Sequence, residues 1–362
     1  MPDATATDDT GSDSPPAVAA HGGWPALLGR LVDGEDLSAD ACAAALGDIL
    51  ADRATDAQIA GLIVGLRQKG ETVDEMVGLV AAMLGAAEPL SMPAGTVDIV
   101  GTGGSAHRRS HALNVSTMAS FVAAAAGAKV CKHGNFKASS TSGSFDFLQS
   151  LGVPVGLATE PLERCVAELG LGFALARTFH PAMRFVGPVR AELGIPTVFN
   201  VLGPLAHPAQ LRRQLIGTAS ASSAERMAEV LRRNGSELAW VVVGDGGLDE
   251  IGLTGPTSVW VVTPDAVTPT TIDPADHDVA VAASLDDLAG GTPAQNVELF
   301  QAMWGPEGAS GPRTDIVVVN AAAALVVAGQ VDDLDAGIEA ARAALAGGRV
   351  EALVAAISAR QD

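Results

Sequence analysis

The 362-residue chain has no tyrosine, three cysteines, and only 22 Lys+Arg against 42 Asp+Glu, a formal net charge of −20. Each shortage excludes something. Cys42, Cys131 and Cys165 are too few and too scattered for a disulfide framework or a zinc site, and are expected to be reduced thiols of a cytoplasmic protein. The cation deficit argues against broad binding to nucleic acid or an anionic membrane, because the summed field repels phosphates. A small anion can still bind where local cations and amides converge. Long apolar runs are missing too: the longest, "IVVVNAAAALVVAG" from Ile316, is interrupted by Asn320 and too short to span a bilayer. The first 20 residues carry four aspartates and neither Lys nor Arg, the reverse of a signal peptide's start. Residues 1–22 are therefore expected to be a disordered acidic tail.

What is present is a compact, alanine-rich composition, 48% hydrophobic with 41 glycines. From Trp24 to about Glu88 the pattern is helical, with Ser38, Thr55 and Thr72 as N-caps, Gly70 as a stop, and Thr72 with Glu75 spaced as a capping box. From Val97 the character changes to alternating strands and helices: "VDIVG", "KVCKHG", "PTVFNVLG", "RRQLIGTAS" and "LAWVVVGDG" punctuate helical stretches. That alternation predicts an α/β fold, a mainly parallel central sheet covered by helices. The expected division is a helical N-terminal domain over 23–95, completed by a later helical segment, and an α/β domain over 96–360.

Three segments suit an anion. "GTGG" (Gly101 to Gly104) follows a strand, where glycines let a backbone approach a ligand and aim its N–H groups. Alone it is as well explained by a tight turn, and neither the dinucleotide nor the P-loop fingerprint fits it. "NVST" (Asn114 to Thr117) precedes an alanine-rich helix; Ser116 or Thr117 can simply cap it, or hold phosphate or magnesium at the positive helix end. "KHGN" (Lys132 to Asn135) ends a strand, and "SSTSGS" (Ser139 to Ser144) opens the next helix. Together the three favour a polyphosphate pocket. Beside such a pocket the adjacent acids Asp249 and Glu250 suit Mg²⁺, although adjacent acids are commonly solvated loop charges. Arg190 sits amid apolar neighbours, which suggests a carboxylate partner. His180 and His207 have no partner at metal-ligand spacing.

In order, "GTGG", "NVST", "KHGN", "SSTSGS", "HPAMR", "PVRAELGIPTVFNVLGPL" and "GLDEIGLTGPT" resemble the anthranilate phosphoribosyltransferase family, and the likeness runs from Trp24 to Ser358. The resemblance implies a cytoplasmic homodimer that transfers phosphoribose from phosphoribosyl diphosphate (PRPP) to anthranilate in tryptophan biosynthesis, with the active site at the domain junction. It implies that Gly101, Gly104, Ser105, Asn114, Val115, Ser116, Thr117, Lys132, His133, Gly134, Asn135, Ser139, Ser140 and Ser144 hold PRPP. Ser116, Asp249 and Glu250 would serve two Mg²⁺ ions, and Gly101, Asn135, Phe136, His180 and Arg190 would meet the acceptor. An aromatic amine is nucleophilic while neutral, so no residue is assigned as general base.

The chain departs from the family pattern at two places. Ser105 replaces an aspartate at the head of a longer loop, "SAHRRSHAL", which brings Arg108 and Arg109; Phe136 replaces an arginine. The loop either closes over PRPP or is a solvated insertion, and Phe136 either shapes the acceptor pocket or merely packs. A same-scaffold transferase for another aromatic acceptor, a nucleoside phosphorylase of related fold and a non-catalytic nucleic-acid binder are the other readings, the last disfavoured by the acidic charge.

Overall fold

The computed structural model describes residues 16–103, 112–137, 141–305, 308 and 310–360. Four helices come first: α1 (Gly23–Val32), α2 (Ala39–Leu50), α3 (Asp56–Lys69) and α4 (Val73–Gly85). Their starts are fixed locally. Ser38 accepts from Ala41 N, and Thr55–Gln58 and Thr72–Glu75 close reciprocal capping boxes. Glu75 also accepts from Leu37 N at 2.9 Å and from Lys69 Nζ at 3.0 Å, tying three segments of the bundle to one carboxylate.

Residues 17–21, expected within the disordered tail, instead form a 3-10 turn. Val18 is buried, and the carboxylate of Asp48 accepts from Ala17 N at 2.8 Å and Val18 N at 3.0 Å. Residues 1–15 lie outside the described residues.

The sheet has seven strands in the order β3-β2-β1-β4-β5-β6-β7. They are β1 (Val97–Gly101), β2 (Val130–Gly134), β3 (Leu171–Leu175), β4 (Arg213–Gly217), β5 (Leu238–Val243), β6 (Thr257–Val262) and β7 (Val267–Ile272). The first five pair in parallel, while β6 and β7 run antiparallel at one edge. "PTVFNVLG", read as part of the β-α alternation, contributes no strand; Phe199–Leu205 is a helix. Its Phe199, Leu202 and Leu205 are buried in the same apolar cluster as the side chains of α1–α4, so burial against helices decides the local structure. On the other side of the sheet, the helix Pro312–Ala328 is buried almost throughout and fills the larger core.

Candidate active site

β2 lies on one side of β1 and β4 on the other, so chain order reverses there and a crevice opens beyond the strand ends. Two adjoining chambers occupy it. The first, about 300 Å³, is lined by the ends of β1 and β2, residues 112–117, 142–144, and Asp249 with Glu250. The second, about 550 Å³, is lined by Met83 of α4 and by residues between Ala176 and Pro204. Val100 to Thr102, His133 to Asn135 and Asn200 border both.

Glycine makes the first chamber possible through close packing. Gly101 and Gly217 are register partners at the ends of β1 and β4. A Cβ on Gly101 would stand 2.6 Å from Asp249 Oδ2, and one on Gly217 would stand 1.7 Å from the Asp249 carbonyl oxygen. The acid-bearing loop therefore lies directly on the strand ends. Asp249 Oδ2 accepts from Gly103 N at 2.7 Å. The motif glycine at 101 thus makes room for the acid first, and only through it for a ligand.

The helix Val115–Ala125 points its start at this chamber, and no side chain caps it. Asn114 occupies the cap position, but its carboxamide is used elsewhere. Its Oδ1 accepts from Ser142 Oγ and from Asn296 Nδ2, both at 2.8 Å. Ser116 and Thr117, candidate caps from sequence, lie inside the first turn. A helix start that no side chain caps, with Ser116 beside it, faces the chamber in the arrangement that suits an anion. Ser144 Oγ donates to the Asn135 carbonyl at 3.0 Å, which joins the "KHGN" strand end to the next helix. Gly104, Ser105, Arg108, Arg109, Ser139 and Ser140 lie outside the described residues.

Lys132 is buried at the chamber floor, where its ammonium donates to the Ile99 carbonyl. Burial pushes its pKa down, against the pull of Asp98 and Asp249. Three buried histidines cluster at the crevice, with ring centroids 5.4 Å apart for His133–His180 and 5.6 Å for His133–His207. Burial holds all three below the ordinary histidine range, His207 at about 3. They are neutral, polar packing elements around physiological pH. His207 donates from Nε2 to the Cys131 carbonyl at 3.0 Å and accepts from Ala209 N at 3.1 Å. All three cysteines are free and buried, and burial raises each thiol's pKa.

Arg190 lines the second chamber with its guanidinium 5.3 Å from the Phe199 ring centroid. Among the described residues Arg190 makes no ion pair, and burial alone lowers its pKa. His180 also lines the second chamber. Phe136 lines the first chamber and not the second, its ring leaning on Phe145 of the helix Ser144–Leu151, 5.8 Å away between centroids.

The chain matches the glycosyl transferase family's helical bundle domain over residues 25–87 and its a/b domain over 94–351. It is 48% identical over 330 residues to the anthranilate phosphoribosyltransferase of Nocardioides sp. (strain ATCC BAA-499 / JS614), covering 90% of this chain and 95% of the relative. The chain belongs to the anthranilate phosphoribosyltransferase family. The crystal structure of the Thermus thermophilus anthranilate phosphoribosyltransferase superposes with a TM-score of 0.85 at 38% identity, over 92% of this chain and 98% of that one. The Saccharomyces cerevisiae enzyme, in complex with PRPP and Mg, gives 0.82 at 26% identity, over 92% and 96%.

For a member of this family, two residues that sequence reading passes over stand out. Asn200 borders both chambers. Asn320, in the buried helix Pro312–Ala328, grips the residue after the acid pair: it accepts from Ile251 N at 3.0 Å and donates to Ile251 O at 2.9 Å. The available signal is the break that Asn320 makes in an apolar run.

Proposed function

We propose that the first chamber holds PRPP with two Mg²⁺ ions and the second holds anthranilate, in a cytoplasmic homodimer. The activity itself, transfer of phosphoribose to anthranilate, is that of the family. One observation carries the division of labour. A polar chamber with two acids and a helix start that no side chain caps shares a narrow wall, Gly101 with His133 to Asn135, with a chamber whose half-buried Arg190 meets no acid among the described residues.

Asp249, Glu250 and the Ser116 hydroxyl offer hard oxygen donors along one chamber, which suits Mg²⁺. Among the described residues no cluster of three or more His, Cys, Asp or Glu forms a protein-only cage. That too fits an ion which keeps water and substrate phosphate oxygens as ligands. Bound magnesium would neutralise charge on the departing diphosphate. The start of the helix Val115–Ala125 and the Ser116 hydroxyl bind phosphate oxygens, with Gly101 to Gly104, Ser105, Lys132, Ser139, Ser140 and Ser144 completing the cradle. Arg190 pairs with the acceptor carboxylate and so aims the amine across the shared wall at the ribose C1. Positive charge develops on the sugar as the diphosphate leaves, and the attacking nitrogen sheds its proton afterwards, so no general base is required.

Diphosphate release from PRPP and Mg²⁺ should depend on an acceptor, with anthranilate the best of a panel of aromatic acids. Release without acceptor, or with every acid alike, would overturn the reading.

A further inference from the structure

Arg177 belongs to none of the motifs that identify the site. It lies in the short helix Ala176–Phe179 after β3, is exposed, and lines the second chamber. Its guanidinium carbon stands 4.4 Å from the centroid of the Phe136 ring. That ring rests on Phe145, which is fully buried, so the platform under the arginine has a fixed foot. Phe136 lines the first chamber and Arg177 the second, so the stacked pair straddles the ridge between them.

Stacking occupies the face of a guanidinium and leaves the N–H groups on its edge to pair with a carboxylate. Among the described residues no carboxylate or carbonyl takes them. The other cations of the chamber differ. Arg184 lies over Phe185, 4.3 Å from its centroid, and donates to the Pro181 carbonyl at 3.2 Å. Arg190 is more deeply set against Phe199. Phe136 also stands where the family resemblance implies an arginine, so the stack returns to this ridge a cation lost from position 136.

We propose that Arg177, held by Phe136, is a specificity-determining residue for the acceptor: it takes the carboxylate of an aromatic amino acid at the chamber mouth and shares its orientation with Arg190. The inference rests on reading the second chamber as the acceptor's. Steady-state kinetics with anthranilate and with its neutral carboxamide, 2-aminobenzamide, test it on the full chain. Arg177→Ala should raise KM for anthranilate about fivefold to tenfold, as for a lost charge-assisted hydrogen bond. KM for PRPP should move less than about twofold, and the preference for acid over amide should shrink by the same factor as the anthranilate KM rises. Arg177→Lys should recover only part, since an ammonium has no planar fork. Phe136→Leu should cost part of the effect with Arg177 present and nothing further in the Arg177→Ala background. Equal shifts in both KM values, or an unchanged acid-over-amide preference, would overturn the proposal. If the unaltered chain turned over no anthranilate, the functional reading would fail on its own. Calorimetric binding of anthranilate to the unaltered and Arg177→Ala proteins would then decide the arginine's role separately, equal affinities sinking it.

Discussion

The two chambers share a wall yet are built differently. The first is made of main chain and short side chains at strand and helix ends: Gly101, Gly103, Ser116, Ser144 and the loop bearing Asp249. The second is assembled from long side chains on four short helical pieces between Ala176 and Leu205, plus Met83 from the N-terminal bundle. A site of the first kind is fixed by backbone geometry and tolerates little substitution. One of the second kind can change its ligand by single replacements. On the proposed assignment, phosphate recognition and acceptor choice are separable, and breaking each chamber should leave a different kinetic trace.

The largest effect is expected in the first chamber. Asp249→Asn with Glu250→Gln should lower turnover by roughly 100-fold or more, the scale of losing electrostatic stabilisation at a leaving group. The Mg²⁺ midpoint should rise while thermal stability is kept, since a carboxamide oxygen at position 249 can still accept from Gly103 N. An unmoved magnesium titration would remove the acids from the metal's company. In the second chamber, Arg190→Ala should raise KM for anthranilate about 10-fold to 100-fold, as for hydrogen bonds to a charged group, with KM for PRPP within about twofold. Equal shifts would show that the chambers are not separable.

The smallest effect concerns the buried histidine cluster. His207 has its folded pKa depressed from 6.5 to about 3 by burial. The unfolded chain therefore binds the proton first, and the stability present above about pH 6.5 is lost as pH falls towards 3. At pH 5 the loss from this residue is about 2 kcal/mol relative to pH 8. His207→Gln, which can keep the donation to the Cys131 carbonyl, should be less stable at pH 8 yet lose less on acidification. Parallel Tm-against-pH curves for the two proteins would contradict it.

The same contrast explains what can be read from sequence. The caps at Ser38, Thr55 and Thr72, the parallel core strands, and the segments around Gly101, Ser116 and Lys132 announce themselves because local rules place them. β3 and the antiparallel edge strand β7 give no such notice, and "PTVFNVLG" misleads, because its apolar run fits strand and buried helix equally until its neighbours are known. Arg190 suggests a carboxylate partner, but the sequence shows only apolar neighbours and not the chamber they line. Arg177 and Asn200 carry no local signature; only the fold brings them to the crevice. Asn296 is similar. Its bonds to Ala112 O at 2.7 Å and Asn114 Oδ1 at 2.8 Å each span more than 180 residues of chain.

Asn320 carries a consequence for anyone who would strengthen this protein. Seen only as a position, it is a polar flaw in a helix buried almost throughout, 3% exposed among valines and alanines. Replacing it with leucine would satisfy a designer's hydrophobic tally. It would also release both backbone groups of Ile251 and leave the neighbouring acids without their alignment to the core. Asn320→Leu should therefore lower both the melting temperature and turnover, because the buried backbone groups of Ile251 lose their partners, a cost that an apolar tally misses.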